Sequence, residues 1–246
     1  MKKKMNKEHP ILFKPEMVRA ILEGRKTMTR RVVKPQPENV EYCCTCIKVK
    51  HFYIPKNPKP LSKYEPTHKV LTIKCPYGQI GDHLWVREAW GIYQRSDCMP
   101  SGKPYDGAYI YRATDTIPDI PDYAIVKKFK WHPSIHMPRK FSRVTLEITD
   151  IKVERIQDIT EEDAIKEGIE GEEYDQTIVL KDYSNKDSKN KFDGQWFQSW
   201  SEDLGNYIDE DEICKISFHT LWDSLNGKKY PWASNPWVWC LEFKKL

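Results

Sequence analysis

The sequence predicts an α+β domain. Strand-like stretches of unequal length recur between residues 11 and 243, and three helical patterns interrupt them without any βαβ rhythm. Two polar segments, at about 35–74 and 170–212, fall outside the apolar pattern. Together these features describe a barrel-like set of strands with packed helices. They form one domain over residues 8–246, enlarged by two insertions, and the 246 residues suit that size. Nine Trp, thirteen Tyr and eight Phe exclude a disordered chain, which could not carry so much buriable surface.

The elements follow in order. Ile11 to Lys14 reads as a strand closed by Pro15, whose missing N–H suits the first turn of a helix. Met17, Val18, Ala20, Ile21 and Leu22 give that helix an apolar face, and Gly24 stops it. Lys26 to Val33 alternates as a strand until Pro35 and Pro37. Residues 35–76 hold seven prolines, which marks a flap, with a hairpin around Ile47 to Ile54. After the turn at Gly81-Asp82, His83 to Ala89 alternates again, and Tyr109 to Arg112 is a short strand. A proline-punctuated loop spans 114–138, and a long strand runs from Val144 to about Arg155. Thr160 with Asp163 three places on resembles a capping box, with Asp where Glu or Gln is usual, for a helix over 161–167 that stops at Gly168. After the acidic insertion, Ile213 to Leu225 is an amphipathic helix with Ile216, Leu221 and Leu225 on its apolar side and Gly227 as its stop. Trp237 to Phe243 closes the chain as a strand.

Charge is distributed unevenly. Residues 1–34 carry eleven Lys or Arg against three Glu, while residues 170–212 carry thirteen acids against four Lys. A basic stretch attracts phosphate and an acidic one repels it, so a polarised surface is expected. No run approaches the ~18–20 apolar residues of a membrane span, and no apolar core follows the N-terminal lysines as in a secretory leader. An odd count of seven cysteines without regular spacing points to reduced thiols in a cytoplasm. P-loop, dinucleotide-binding, zinc-protease and nucleophile-elbow motifs are all missing, which leaves those chemistries without support.

At Gly24-Arg25-Lys26-Thr27-Met28-Thr29-Arg30-Arg31 the chain resembles the ASCH family, whose fold is a PUA-like mixed β-barrel with packed helices. The likeness continues through the strand and helix at 11–24, the Gly81-Asp82-x-Leu84-x-Val86 turn and the segments at 144–168 and 237–243, about half of the chain. With Cys75-Pro76-Tyr77-Gly78 and the loop from Trp131 to Arg139, the longer form is similar to ASCH-domain proteins of bacteriophages and prophages. The resemblance implies a cleft for RNA, single-stranded nucleic acid or a modified pyrimidine nucleoside, with no cofactor. One small branch of the family hydrolyses the amide of N4-acetylcytidine with a Lys, a Thr and a Glu. Matched by position, these fall on Lys26, Thr29 and Glu167. The expected function is binding of such a ligand in a basic cleft walled by Lys26, Thr29, Arg31 and Glu167, with amide hydrolysis of an N4-acylated cytidine, or nuclease action in the same cleft, as the alternative.

The residues themselves bear on that chemistry. A threonine hydroxyl attacks an amide only if a base takes its proton, and a lysine serves as that base only if its pKa falls. Arg25, Arg30 and Arg31 supply like-charge crowding that lowers it. Strict alternation puts Thr27, Thr29 and Arg31 on one face and Lys26, Met28 and Arg30 on the other. Lys26 therefore meets Thr29 only if it belongs to the turn after Gly24 or if a bulge intervenes. Arg25, Thr27, Arg30 and Arg31 are ligand-binding candidates. Trp85 and Arg87 on one strand face, with His136 and Arg139 in the later loop, join them as a mixture of aromatic faces and cations suited to unpaired bases. Cys43, Cys46 and Cys75 are what a zinc site would draw on, but a matching second half-site is missing, so no metal is expected.

Overall fold

A computed structural model describes residues 6–37, 41–42, 52–53, 74–93, 108–115, 130–174, 177–184, 196–198, 200–201, 206–207 and 210–246. In chain order the elements are β1 (Glu8–Leu12), α1 (Pro15–Leu22), β2 (Met28–Val32), β3 (Glu41–Tyr42), β4 (Phe52–Tyr53), β5 (His83–Arg87), β6 (Trp90–Tyr93), β7 (Ala108–Tyr111) and β8 (Thr145–Arg155). They continue with α2 (Glu161–Lys166), β9 (Gly171–Tyr174), β10 (Thr177–Lys181), β11 (Trp196–Gln198), β12 (Trp200–Ser201), β13 (Asn206–Tyr207), α3 (Glu210–Asn226) and β14 (Trp237–Lys245). The α+β class holds. The expected barrel does not form, because the main sheet runs β1-β5-β8-β14-β2 and stays open, with β1 and β2 as its edges among the described residues. Contacts within the chain cluster in two compact units, the first of Met1–Gly24, Gly81–Glu147 and Lys244–Leu246, the second of Arg25–Ile80 and Ile148–Phe243.

In the first unit β1 pairs parallel with β5, from Glu8 opposite His83 to Leu12 opposite Arg87. This pairing moves the first strand three residues upstream of the predicted Ile11 to Lys14 and takes in Pro10, which an edge strand tolerates because one side of it needs no N–H donor. β5 alternates as predicted, with Leu84 and Val86 at 0% and 1% exposure. Each such side chain contributes roughly 1.5–3 kcal/mol. β6 and β7 pair antiparallel, Trp90 opposite Tyr111. Glu88, 1% exposed, is gripped at both oxygens by Arg143 at 2.9 and 3.0 Å, which is how a buried charge becomes tolerable.

In the second unit β2 runs antiparallel to β14, Met28 opposite Glu242 and Val32 opposite Val238. Val238, Trp239, Cys240 and Leu241 are consecutively buried, so both faces of β14 are covered. Along β8 the buried positions change from Leu146 and Ile148 to Ile151 and Val153, an even-to-odd switch that exchanges the two faces of the strand. The segment expected to be a polar acidic insertion contains a three-stranded antiparallel sheet, β11-β10-β9, with Val179 and Leu180 buried. The Thr-Ile-Val-Leu run of β10 supplies its β-forming residues. α3 packs on α2 and β10 through Ile213, Cys214, Ser217, Phe218, Leu221 and Trp222. Leu225, expected on that face, is exposed, and Ile216 is half-buried. In the flap, β3 pairs with β4, while residues 43–51 and 54–73 lie outside the described residues. Among the described residues no helix is long and apolar enough to cross a membrane.

Candidate functional site

The second unit builds a charged cluster around the end of α2. That helix has only six residues and starts on Thr160, whose hydroxyl accepts the backbone N–H of Asp163 at 3.2 Å. It ends at Glu167, followed by Gly168 at φ 79°, a left-handed conformation that glycine adopts without steric penalty. The last carbonyls of any helix lack partners within it. Here three consecutive residues of the Gly-Arg-Lys-Thr motif supply them in reverse order. Arg25 Nη1 donates to the Gly168 carbonyl at 3.4 Å, Lys26 Nζ to that of Glu167 at 2.7 Å and the Thr27 N–H to that of Lys166 at 2.9 Å. The Thr27 carbonyl then accepts the Phe243 N–H at 2.9 Å, which ties the segment to β14.

This latch keeps Lys26 out of β2, which begins only at Met28, so Lys26 belongs to the turn and escapes the alternation. Its amine also meets Glu167 Oε2 at 2.7 Å, with the two side chains 2% and 5% exposed. Burial pulls the Lys26 amine below its ordinary value, helped by Arg31 and Arg30 and opposed by the Glu167 carboxylate. Thr29 is buried on β2, and among the described residues its hydroxyl is not hydrogen-bonded to Lys26 or Glu167.

Arg30 points into the cluster and not to solvent. Its Nη2 lies 2.6 Å from both Glu154 Oε1 and Asp163 Oδ2, its Nε 3.1 Å from Glu154 Oε1, and its Nη1 3.4 Å from Glu167 Oε1. Lys152 adds contacts of 3.0 Å to Asp163 and 3.3 Å to Glu154. The guanidinium expected to grip phosphate is thus occupied by three carboxylates. Arg31 is half-buried, and burial pulls its guanidinium down while Tyr77 and Glu167 oppose that. Sequence reasoning missed Glu154, Lys152 and the ionic role of Asp163. One signal was available, since Asp163 and Glu167 stand four apart and share a helix face.

No family model, curated protein or solved structure matches the chain. The site therefore rests on its own geometry and on the motif likeness.

The other four ligand candidates lie in the first unit. Arg87 sits over the Trp85 ring at 5.4 Å and donates to the Ile135 carbonyl, so the two residues share a face as predicted but engage each other. Arg139 is held at both ends of its fork by Glu8, at 2.8 and 2.9 Å, and His136 is exposed in a short helical turn. Of the zinc candidates, Cys43 and Cys46 lie outside the described residues. Cys75 is a free, half-exposed thiol pushed up to about 11 by burial, against the pull of the Tyr77 and Gly78 backbone, which disfavours the thiolate a metal requires. Among the described residues no group of three or more His, Cys, Asp or Glu side chains is arranged to hold a metal.

Proposed function

We propose that the protein hydrolyses the amide of an N4-acylated cytidine with Lys26, Thr29 and Glu167, in a PUA-like setting of the ASCH type. One observation carries this reading. Lys26 and Glu167, 141 residues apart and picked out by the motif likeness alone, meet at 2.7 Å in a nearly solvent-free position. Taking two charges out of water costs several kcal/mol for each ion, so such a pair is a poor device for stability, and perturbed buried pairs concentrate at functional sites.

The carbonyl and carboxylate of Glu167 both accept from Lys26 Nζ, which holds the amine in place. Once deprotonated, that amine takes the Thr29 proton, directly or through one water, a contact of the kind that tightens when substrate binds. Thr29 Oγ1 then bonds to the acyl carbon, the carbon–nitrogen bond breaks, and the proton passes through Glu167 to the departing N4. Water cleaves the resulting ester, releasing the carboxylic acid and restoring Thr29.

Replacing Lys26 by Met keeps the stem and removes the base, so turnover of N4-acetylcytidine is expected to fall by ~10²–10⁴-fold while the nucleoside is still bound. In the wild type turnover rises with pH as the amine loses its proton, with a midpoint below the ordinary lysine value of 10.5. Equal turnover in Lys26→Met and wild type would remove this reading. Retention of the nucleoside, RNA or single-stranded nucleic acid by a wild type that turns nothing over would leave a binding module.

A further inference from the structure

Glu167 is held at both of its oxygens, Oε2 by Lys26 at 2.7 Å and Oε1 by Arg30 at 3.4 Å. A carboxylate gripped at one oxygen can rotate about its last bond, whereas one gripped at both has a single orientation. The second grip is only as rigid as the guanidinium that makes it. Arg30 is fixed by shorter contacts, 2.6 Å to Glu154 on β8 and 2.6 Å to Asp163 on α2, and its side chain is 1% exposed. The Phe218 ring from α3 lies 5.8 Å from the guanidinium carbon. Three carboxylates from two elements thus converge on one planar fork, a geometry that a lysine cannot reproduce.

Deepening the hydrolase reading on which it rests, we infer that Arg30 is a positioning residue: without touching substrate, it holds Glu167 with one oxygen on the Lys26 amine and turned toward the departing nitrogen. The surrounding charges agree with that role. The cluster contains the cations Lys26, Arg30, Arg31 and Lys152 and the carboxylates Glu154, Asp163 and Glu167. Cys240 on β14, opposite Arg30 in register, and Tyr77 both have their protons retained by burial and add no charge. Burial, Arg31 and Arg30 disfavour the charged Lys26 amine while Glu167 opposes them, so loss of the Lys26 proton relieves repulsion from both guanidiniums.

Two variants separate charge from geometry. Arg30→Lys keeps a buried cation but loses the fork. Its kcat for N4-acetylcytidine is expected to fall about tenfold or more, the scale of a misplaced catalytic group, with KM nearly unchanged and the Lys26 titration close to wild type. Arg30→Gln removes the charge, so the midpoint of the Lys26 amine, followed by NMR in the full chain and assigned by its absence in Lys26→Met, should rise, and the pH–rate limb should rise with it. Should Arg30→Gln fail to fold, Glu154→Gln loosens the anchor while keeping every cation, and kcat should fall again with KM unchanged. Wild-type kcat in Arg30→Lys, a raised KM with kcat intact, or an unmoved Lys26 midpoint in Arg30→Gln would overturn the inference. The amine titration needs no substrate, so a wild type without turnover counts against the hydrolase reading alone.

Discussion

Asp163 stands third in α2, where its N–H takes the Thr160 cap and its carboxylate takes Arg30 and Lys152. Burial alone would raise its carboxyl, but the hydrogen bonds from Lys152 and Arg30 outweigh that and hold it below the ordinary 3.8. The folded chain therefore keeps this group ionised to lower pH than the unfolded chain does. Its contribution to stability is complete above the unfolded value and is lost as pH falls through the folded one. Asp163→Asn should cost about 3 kcal/mol at neutral pH, since it leaves Arg30 and Lys152 short of a partner. It should also flatten the acid side of the melting temperature plotted against pH, and parallel acid limbs in the two proteins would refute this. Lys26 and Glu167 were legible from a motif, and Thr160 from capping chemistry. The fate of Arg30 was not, because its partners stand 124 to 137 residues away and nothing in local spacing announces them.

A six-residue helix is too short to persist on its own, so α2 depends on what holds its two ends. Thr160→Ala removes the first hold and should cost about 1 kcal/mol, read as a shift of the urea midpoint at constant slope. An unshifted midpoint would mean that the latch at the other end suffices. Elements whose signal lies within themselves were readable from sequence: α1 with its proline start, the alternation of β5, the run of β8 and the closing β14. Those that owe their extent to a partner were not. β1 reaches back to Glu8 because β5 pairs with it there, and β6 exists by virtue of β7. β9 to β11 were hidden because thirteen acids across residues 170–212 masked the short apolar core of β10. α3 showed its periodicity, but the buried stripe follows Ile213, Phe218 and Leu221, where its partners lie, and leaves Leu225 outside.

For the molecule as a whole, neither unit is a contiguous stretch of chain. The first closes on residues 244–246 through three ties: Lys244 to Glu147 at 3.1 Å, Lys245 Nζ to the Leu22 carbonyl at 3.1 Å, and the Leu246 N–H to the Thr145 carbonyl at 3.0 Å. Deleting these three residues should lower stability by about 1–2 kcal/mol, because two hydrogen bonds and one exposed ion pair are lost. The Lys26 amine, in the other unit, should titrate as before, and a shifted titration would contradict the assignment of these ties to the first unit. Composition and periodicity reported the strands but not this interleaving, which depends on which distant segments pair. It also has a temporal side. A ribosome adding ~5–20 residues per second delivers residues 244–246 about 10–45 seconds after residue 24. Throughout that interval the Leu22 carbonyl at the end of α1 waits for a tie that has not yet been synthesised, so the first unit completes its contacts long after its first helix is made.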